Sequence, residues 1–390
     1  MPDTSTIWWH VYPLGATGAP LRRREGADGP RLLRLVPWLD HVVELGCDGL
    51  LLGPVFASTS HGYDTLDHHT LDPRLGDDAN WDRFVQQAKD RGLQIMLDGV
   101  FNHVGIDHPL VQGGPTRPWE GHGDLAELDH DDPAVADLVT DVMLHWLRRG
   151  ADGWRLDVAY AVPSEFWAEV LGRVRQEFPD ALFLGEVIHG DYPAIARAGT
   201  LDTVTQYELW KGIWSSLADR NLWELAWGLE RHDEFSQEVP MQTFVGNHDV
   251  TRIASAVGDA GAALAAVVLM TVPGIPSVYY GDELAFRGEK GTSWGADTPL
   301  RPALPGTPAE IGLGWEMFAH HRELIALRRR HPWLTRGRVS VVDRANEQLT
   351  YEVAGTDTDG ARHVLRVHLD LATSSFRVEV DGTTVLERSG

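Results

Sequence analysis

The sequence predicts an α/β chain folded as a (β/α)8 (TIM) barrel. A short loop domain is expected after the third strand and a small antiparallel β domain at the C-terminal end. Three observations carry this. Short apolar runs alternate with helical runs from Ile7 to Arg330. The helical runs end at Leu45-Gly46, Arg91-Gly92, Arg149-Gly150 and Ala198-Gly199, where a glycine suits a left-handed cap. Beyond Arg338 the pattern changes to short alternating runs broken by Gly, Asp and Asn. A doubly wound open sheet is the competing architecture, but no glycine-rich phosphate loop follows an early strand.

In order, the strand candidates are Ile7–Leu14, Gly49–Phe56, Gln94–Phe101, Gly153–Ala159, Leu182–Ile188, Thr203–Leu209, Gln242–Gly246 and Pro276–Tyr280. Between them Leu32–Leu45, Asn80–Arg91, Pro133–Arg149, Ser164–Glu177, Tyr192–Ala198, Lys211–Ser236 and Ala260–Thr271 are patterned as helices, and Trp315–Arg330 closes the series. Asp132-Pro133 and Pro163-Ser164 place a capping residue or proline at a first helical turn. The expected division is a barrel over residues 1–337, holding a loop domain at 104–131, and a β domain over 338–390. That last unit contains Val339–Val342, Leu349–Val353, His363–Leu369, Phe376–Val380 and Thr384–Leu386. Both Val104–Asp131 and Asp282–Gly314 are long and irregular, as functional loops are.

The 390 residues carry a formal net charge of −23, which repels nucleic acid and anionic lipid and is compatible with a neutral substrate. No run of eighteen uninterrupted apolar residues marks a membrane span. Residues 1–6 are polar and lack a basic segment, so no signal peptide is expected before the first strand. The single cysteine, Cys47, excludes an internal disulfide and fits a reducing cytoplasm. Fifteen Trp offer flat faces suited to sugar rings, although many must pack the core.

The chemistry sits at strand ends. In Gly153-Trp154-Arg155-Leu156-Asp157, Arg155 and Asp157 share a face, and the guanidinium is expected to keep the carboxylate charged. Glu186 ends Leu182–Glu186 and Asp249 ends Phe244–Asp249. In a barrel all three acids converge on one rim. A protonated acid and a carboxylate nucleophile roughly 5 Å apart are what retaining glycoside hydrolysis needs. A third carboxylate there could bind sugar hydroxyls and favour a positively charged transition state. Asp98 lies inside the third strand with Arg155 as its expected partner. His103 and His248 each have two readings, donor to a sugar hydroxyl or core histidine bonded to backbone. Tyr63, in Gly62-Tyr63-Asp64-Thr65, could floor a sugar ring, with Asp64 stabilising Tyr63 or Arg252. Trp119, Trp294 and Tyr160 could stack on substrate or pack their own loops. No paired-Cys or His-x-x-x-His spacing supports a metal site.

Four stretches, Asp98–His103, Gly153–Asp157, Gly185-Glu186 and Asn247-His248-Asp249, together resemble the α-amylase superfamily of glycoside hydrolases, in the family's order. Gly62-Tyr63-Asp64-Thr65 and Gly274–Glu283 support the match. The resemblance implies Asp157 as nucleophile, Glu186 as acid/base and Asp249 as transition-state stabiliser. It implies Tyr63, His103, Arg155 and His248 around the cleaved sugar. The full substrate-binding set expected is Tyr63, Asp64, Asp98, His103, Arg155, His248, Tyr160 and Arg252. His61–Thr65 and Gly153–Ala159 look most like the cyclomaltodextrinase and neopullulanase branch, whose members act on short or cyclic maltodextrins. The sequence departs from that branch in having Tyr160-Ala161 where Asn-Glu is usual, a short loop domain, a degenerate Leu125–Asp129 motif, and no counterpart of its N-terminal β domain.

Many relatives bind Ca²⁺ through the counterpart of Asn102, a loop-domain Asp and the carbonyl of a Lys-His pair. The last contributor is absent here, and the loop acid cannot be chosen among Asp107, Asp124, Asp129 and Asp131. No obligatory Ca²⁺, and no other cofactor, is therefore expected. The expected activity is retaining hydrolysis of α-glucosidic bonds in neutral short α-glucosides or maltodextrins. Glucosyl transfer by the same triad is the alternative, and a non-catalytic sugar-binding barrel a more distant one. A homo-oligomer is compatible with the compact loops.

Overall fold

The computed structural model describes residues 4–22, 26–113, 117–121, 123–292 and 295–389. Eight parallel strands close into a barrel in the spatial order of the chain: Trp8–Val11, Gly49–Leu52, Gln94–Gly99, Gly153–Leu156, Leu182–Gly185, Thr203–Thr205, Met241–Phe244 and Ile275–Tyr279. Strand periodicity then sorts the lumen into layers. Trp8, Leu51, Met96, Leu182, Leu184 and Ile275 form a separate apolar cluster of buried side chains. Two residues further along these strands come His10, Asp98 and Glu186, in step with Arg155 and Asp157 on the fourth. An apolar plug thus carries a polar layer above it. The plug depends on a missing Cβ: one added at Gly49 would lie 2.5 Å from the Trp8 ring.

Helices pack outside. Asp77 and Asn80 form a reciprocal capping box that starts Asp78–Lys89, and Asp132 caps Pro133–Arg148 through the Ala134 N–H. The single helix expected over Lys211–Ser236 is two, Tyr207–Ala218 and Leu222–Ser236. Arg220, at φ 52°, turns the chain between them, and the pair closes with the Cβ position of Gly228 only 4.0 Å from Gly212 Cα. The sixth strand stops at Thr205 rather than Leu209, so Tyr207 opens a helix instead of ending a strand.

Helix Ile253–Thr271 is long and apolar enough to cross a membrane by length and composition. Its Ala262–Thr271 half is buried and is held by His320 Nε2 on the Ala263 carbonyl and Arg328 Nη1 on the Met270 carbonyl.

Two hairpins extend the rim. Phe56–Ser58 pairs with Thr65–Leu71 after the second strand, and His103–Gly105 pairs with Leu125–Glu127 inside the loop after the third. A five-stranded antiparallel sheet follows the barrel: Arg338–Arg344, Gln348–Thr356, Arg362–Asp370, Ser375–Val380 and Thr383–Arg388.

Candidate active site

Asp98 and Arg155 are register partners on adjacent strands, so their side chains leave the sheet side by side. Arg155 Nη1 donates to both Asp98 oxygens, at 2.7 and 2.9 Å, and to Asp157 Oδ1 at 2.8 Å. Its Nη2 lies 2.5 Å from Glu186 Oε1. Asp98, Asp157 and Glu186 therefore share one guanidinium, and all four residues are buried. Tyr207 donates to Glu186 Oε1 at 3.1 Å, and the Val158 N–H donates to Oε2 at 3.0 Å.

Asp249 joins through side chains. His248 Nε2 lies 2.9 Å from Asp249 Oδ2 and also meets the Tyr63 hydroxyl. Tyr63 in turn donates to Asp98 Oδ2 at 2.9 Å. On its other oxygen Asp249 accepts from Arg301 Nη2 at 2.9 Å. Arg301 also reaches Asp297 at 3.1 Å and the His248 carbonyl at 3.0 Å, and its guanidinium lies 4.5 Å from the centre of the Tyr12 ring. A cleft of about 510 Å³ opens beside Asp249 and Tyr63, walled by Tyr12, His61, Asp124, Asp297, Arg301 and the Gly15–Leu21 segment. That volume lies within the range of small-ligand sites.

Electrostatics divide the two aspartates. Burial pushes the Asp157 carboxyl well above the ordinary range, and Glu186 and Asp98 add to Arg155's failure to offset it. Arg155 acts on Asp157 in the expected direction, lowering its pKa, but its guanidinium is divided among three acids. Asp98 is raised too, chiefly by burial. Asp249 goes the other way: burial is outweighed by His248 and Arg301, which hold it well below the usual value. Burial also raises Tyr63 and Tyr207.

The expected residues divide by place. Asp98, Arg155, Asp157, Glu186, Tyr63, His248 and Asp249 form one connected network. The His103 ring lies 5.7 Å from and nearly parallel to that of Trp119, with the Asn102 amide at 3.2 Å. Tyr160 packs edge-on to His189 at 4.9 Å. Trp294 lies outside the described residues.

Two expectations need correction. Asp64 is buried and accepts from the Ser60 N–H at 3.1 Å and its hydroxyl at 2.6 Å, so it braces the turn that presents Tyr63. Arg252 is only 1% exposed and is spent on Asp282 at 2.9 Å and the carbonyls of Tyr280 and Leu300. Neither meets the other, because the chain turns after Asp249 and sends Arg252 toward the Tyr279–Asp282 segment. Sequence reasoning missed Arg301, Tyr207 and Tyr12. Tyr12 closes a strand candidate and was findable by the strand-end rule, whereas Arg301 sits in irregular chain with no periodic signal.

Asn102 is the residue expected to match a calcium ligand of related enzymes. Asn102 Oδ1 is buried without a hydrogen-bond partner, a position a ligand atom could occupy. Yet among the described residues no group of three or more His, Cys, Asp or Glu could hold a metal ion.

Residues 34–114 and 120–303 match the family profile described as alpha amylase, catalytic domain. The chain is 28% identical to a cyclomaltodextrinase of Geobacillus thermopakistaniensis over 90% of its own length and 67% of the relative's. It is 31% identical to neopullulanase 2 of Thermoactinomyces vulgaris, over 81% of this chain and 59% of that one. The chain thus spans about two thirds or less of the length of these relatives. Among solved structures it resembles a cyclic α-maltosyl-(1→6)-maltose hydrolase from Arthrobacter globiformis in complex with maltose. That match has a TM-score of 0.80 and 26% identity, over 93% of this chain and 91% of that one.

Proposed function

The chain belongs to the α-amylase catalytic-domain family, and we propose that it hydrolyses α-glucosidic bonds in short or cyclic maltodextrins with retention of configuration. The observation that carries this reading is the Arg155 guanidinium, which gathers Asp98, Asp157 and Glu186 at one rim. Relatives named for cyclomaltodextrin and pullulan, and the maltose complex of the Arthrobacter enzyme, support the substrate class.

In the first step Glu186 gives its proton to the glycosidic oxygen. An Asp157 oxygen bonds to the anomeric carbon as the carbon–oxygen bond to the leaving sugar breaks. In the second step Glu186, now a carboxylate, takes a proton from water. That water's oxygen attacks the anomeric carbon and releases Asp157. Two displacements at one carbon restore the α configuration. The donors on Glu186, namely Arg155, Tyr207 and the Val158 N–H, suit its carboxylate form between the steps. Asp249, held anionic by His248 and Arg301, is placed to take sugar hydroxyls and to favour the cationic transition state.

The test is product analysis on maltose, isomaltose, trehalose, maltotriose, cyclodextrin, pullulan and starch, with the first-formed anomer read by proton NMR. An α-anomer formed first, and no turnover by Asp157→Ala, is the expected result. A β-anomer, or Asp157→Ala retaining near wild-type rate, overturns the reading. Longer products at high sugar concentration would show transfer instead of hydrolysis.

A further inference from the structure

Within the polar layer lies a small cavity of about 20 Å³, bordered by His10, Arg155, Tyr207, Gln242, Asn247 and His248. Three buried polar atoms on its lining residues have no hydrogen-bond partner: His10 Nε2, Gln242 Oε1 and His248 Nδ1. Their side chains belong to residues only 5%, 4% and 1% exposed. The His10 and His248 rings meet edge to face, 5.2 Å between centres at 78°. A cavity of this size suits a single water, provided two to four polar groups face it.

The hydrogen-bond accounting fixes what each atom needs. The Tyr63 O–H is spent on Asp98 Oδ2. Its oxygen can then only accept from His248 Nε2, and Asp249 Oδ2 faces the same nitrogen at 2.9 Å. His248 Nε2 therefore carries a proton, and Nδ1 on the other side of the ring is left to the cavity. Gln242 Oε1 is an acceptor. Burial first, and then His248, lower the His10 pKa well below its ordinary value, and its Nε2 can carry the ring's proton. One water can meet all three, donating to Gln242 Oε1 and exchanging hydrogen bonds with the two imidazole nitrogens.

We propose that the barrel holds one structural water between His10, Gln242 and His248, and that His10 is a positioning residue which holds the orientation of the His248 ring through it. His10 touches no substrate. It acts by keeping the His248 Nε2 proton aimed at Asp249 and Tyr63, and its effect on turnover rests on the hydrolase reading above.

Two readouts need no substrate. A high-resolution crystal structure of the wild-type chain should show a water within about 3.2 Å of all three atoms. Nitrogen-15 NMR of labelled histidine should show the His248 Nδ1 resonance displaced in His10→Leu. In turnover, His10→Leu should lower kcat/KM about three- to tenfold, the loss of one buried hydrogen bond. His10→Gln, whose amide can still donate to the water, should stay within about twofold. An empty cavity in the crystal, a Leu variant with an unmoved His248 resonance, or equal losses in Leu and Gln would each overturn the proposal. Failure of the hydrolase reading would remove the turnover effects and leave the water and the ring orientation in place.

Discussion

The backbone N–H of Val158 donates to Glu186 Oε2 at 3.0 Å, and Val158 holds a left-handed backbone with φ 48°. The residue after the proposed nucleophile thus anchors the proposed acid. A β-branched side chain in that region is strained by about 1–2 kcal/mol. Strain of this kind tends to persist where a site over-determines the backbone.

Asparagine tolerates the same conformation and keeps the N–H. Val158→Asn should therefore stabilise the fold by about 1 kcal/mol, a rise in Tm of about 2 °C. Its kcat/KM should stay within about threefold of wild type. Differential scanning calorimetry and steady-state kinetics check both. A lower Tm would mean that the packing of the Val158 methyls outweighs the strain.

The opposite shifts of Asp157 and Asp249 predict opposite stability changes. Folding raises the Asp157 pKa above its ordinary 3.8, so the folded chain binds the extra proton and stability falls as pH rises through that window. Asp157→Asn should remove this penalty, giving a higher Tm at neutral pH and no gain below about pH 3.8. Folding lowers the Asp249 pKa, so its contribution is present above the ordinary value and lost as pH falls below it. Asp249→Asn should lower Tm at neutral pH, with the deficit shrinking in acid. Thermal melts across pH decide this, and shifts of the same sign in both variants would refute the electrostatic division.

How much of this was legible follows from where each residue sits. Asp157 and Glu186 end strands in a repeating strand–helix chain, so one rule of alternation places both on the rim. The pairing of Asp98 with Arg155 needed only that their strands be neighbours, and they meet at 2.7 Å. Arg252 misled because it stands three residues after Asp249, and sequence proximity says nothing about which way a loop residue points. Tyr207 is hidden in the apolar run Thr203–Leu209, because a helix that starts at Tyr207 has the same composition as a continued strand. Arg301 comes from a segment with no period, and its partnership with Asp249 exists only in three dimensions.

Arg155 is the cation that Asp98, Asp157 and Glu186 hold in common. Removing one member of a buried ionic group typically costs about 3–5 kcal/mol. Arg155→Met should lower Tm sharply and abolish turnover. Arg155→Lys keeps a charge but not the planar fork that reaches three acids, and should lose activity by about a hundredfold or more. Retention of activity within tenfold by either variant would show that the acids do not depend on a shared guanidinium.

Arg301 separates binding from folding more cleanly. It grips Asp249 at 2.9 Å and stands over Tyr12 at the cleft wall, yet Asp249 keeps His248 as a second partner. Its loss should therefore leave a folded chain with a misplaced and less firmly anionic carboxylate. A hydrogen bond to a charged group is worth about 1.5–3 kcal/mol, so Arg301→Gln should lower kcat/KM about ten- to a hundredfold. Because Asp249 is proposed to meet the bound sugar and the transition state alike, KM should rise as kcat falls. Kinetics on a maltodextrin, with circular dichroism to verify the fold, provide the check. An unchanged KM would place Arg301 outside substrate binding, and unchanged kinetics altogether would mean that His248 alone suffices to hold Asp249.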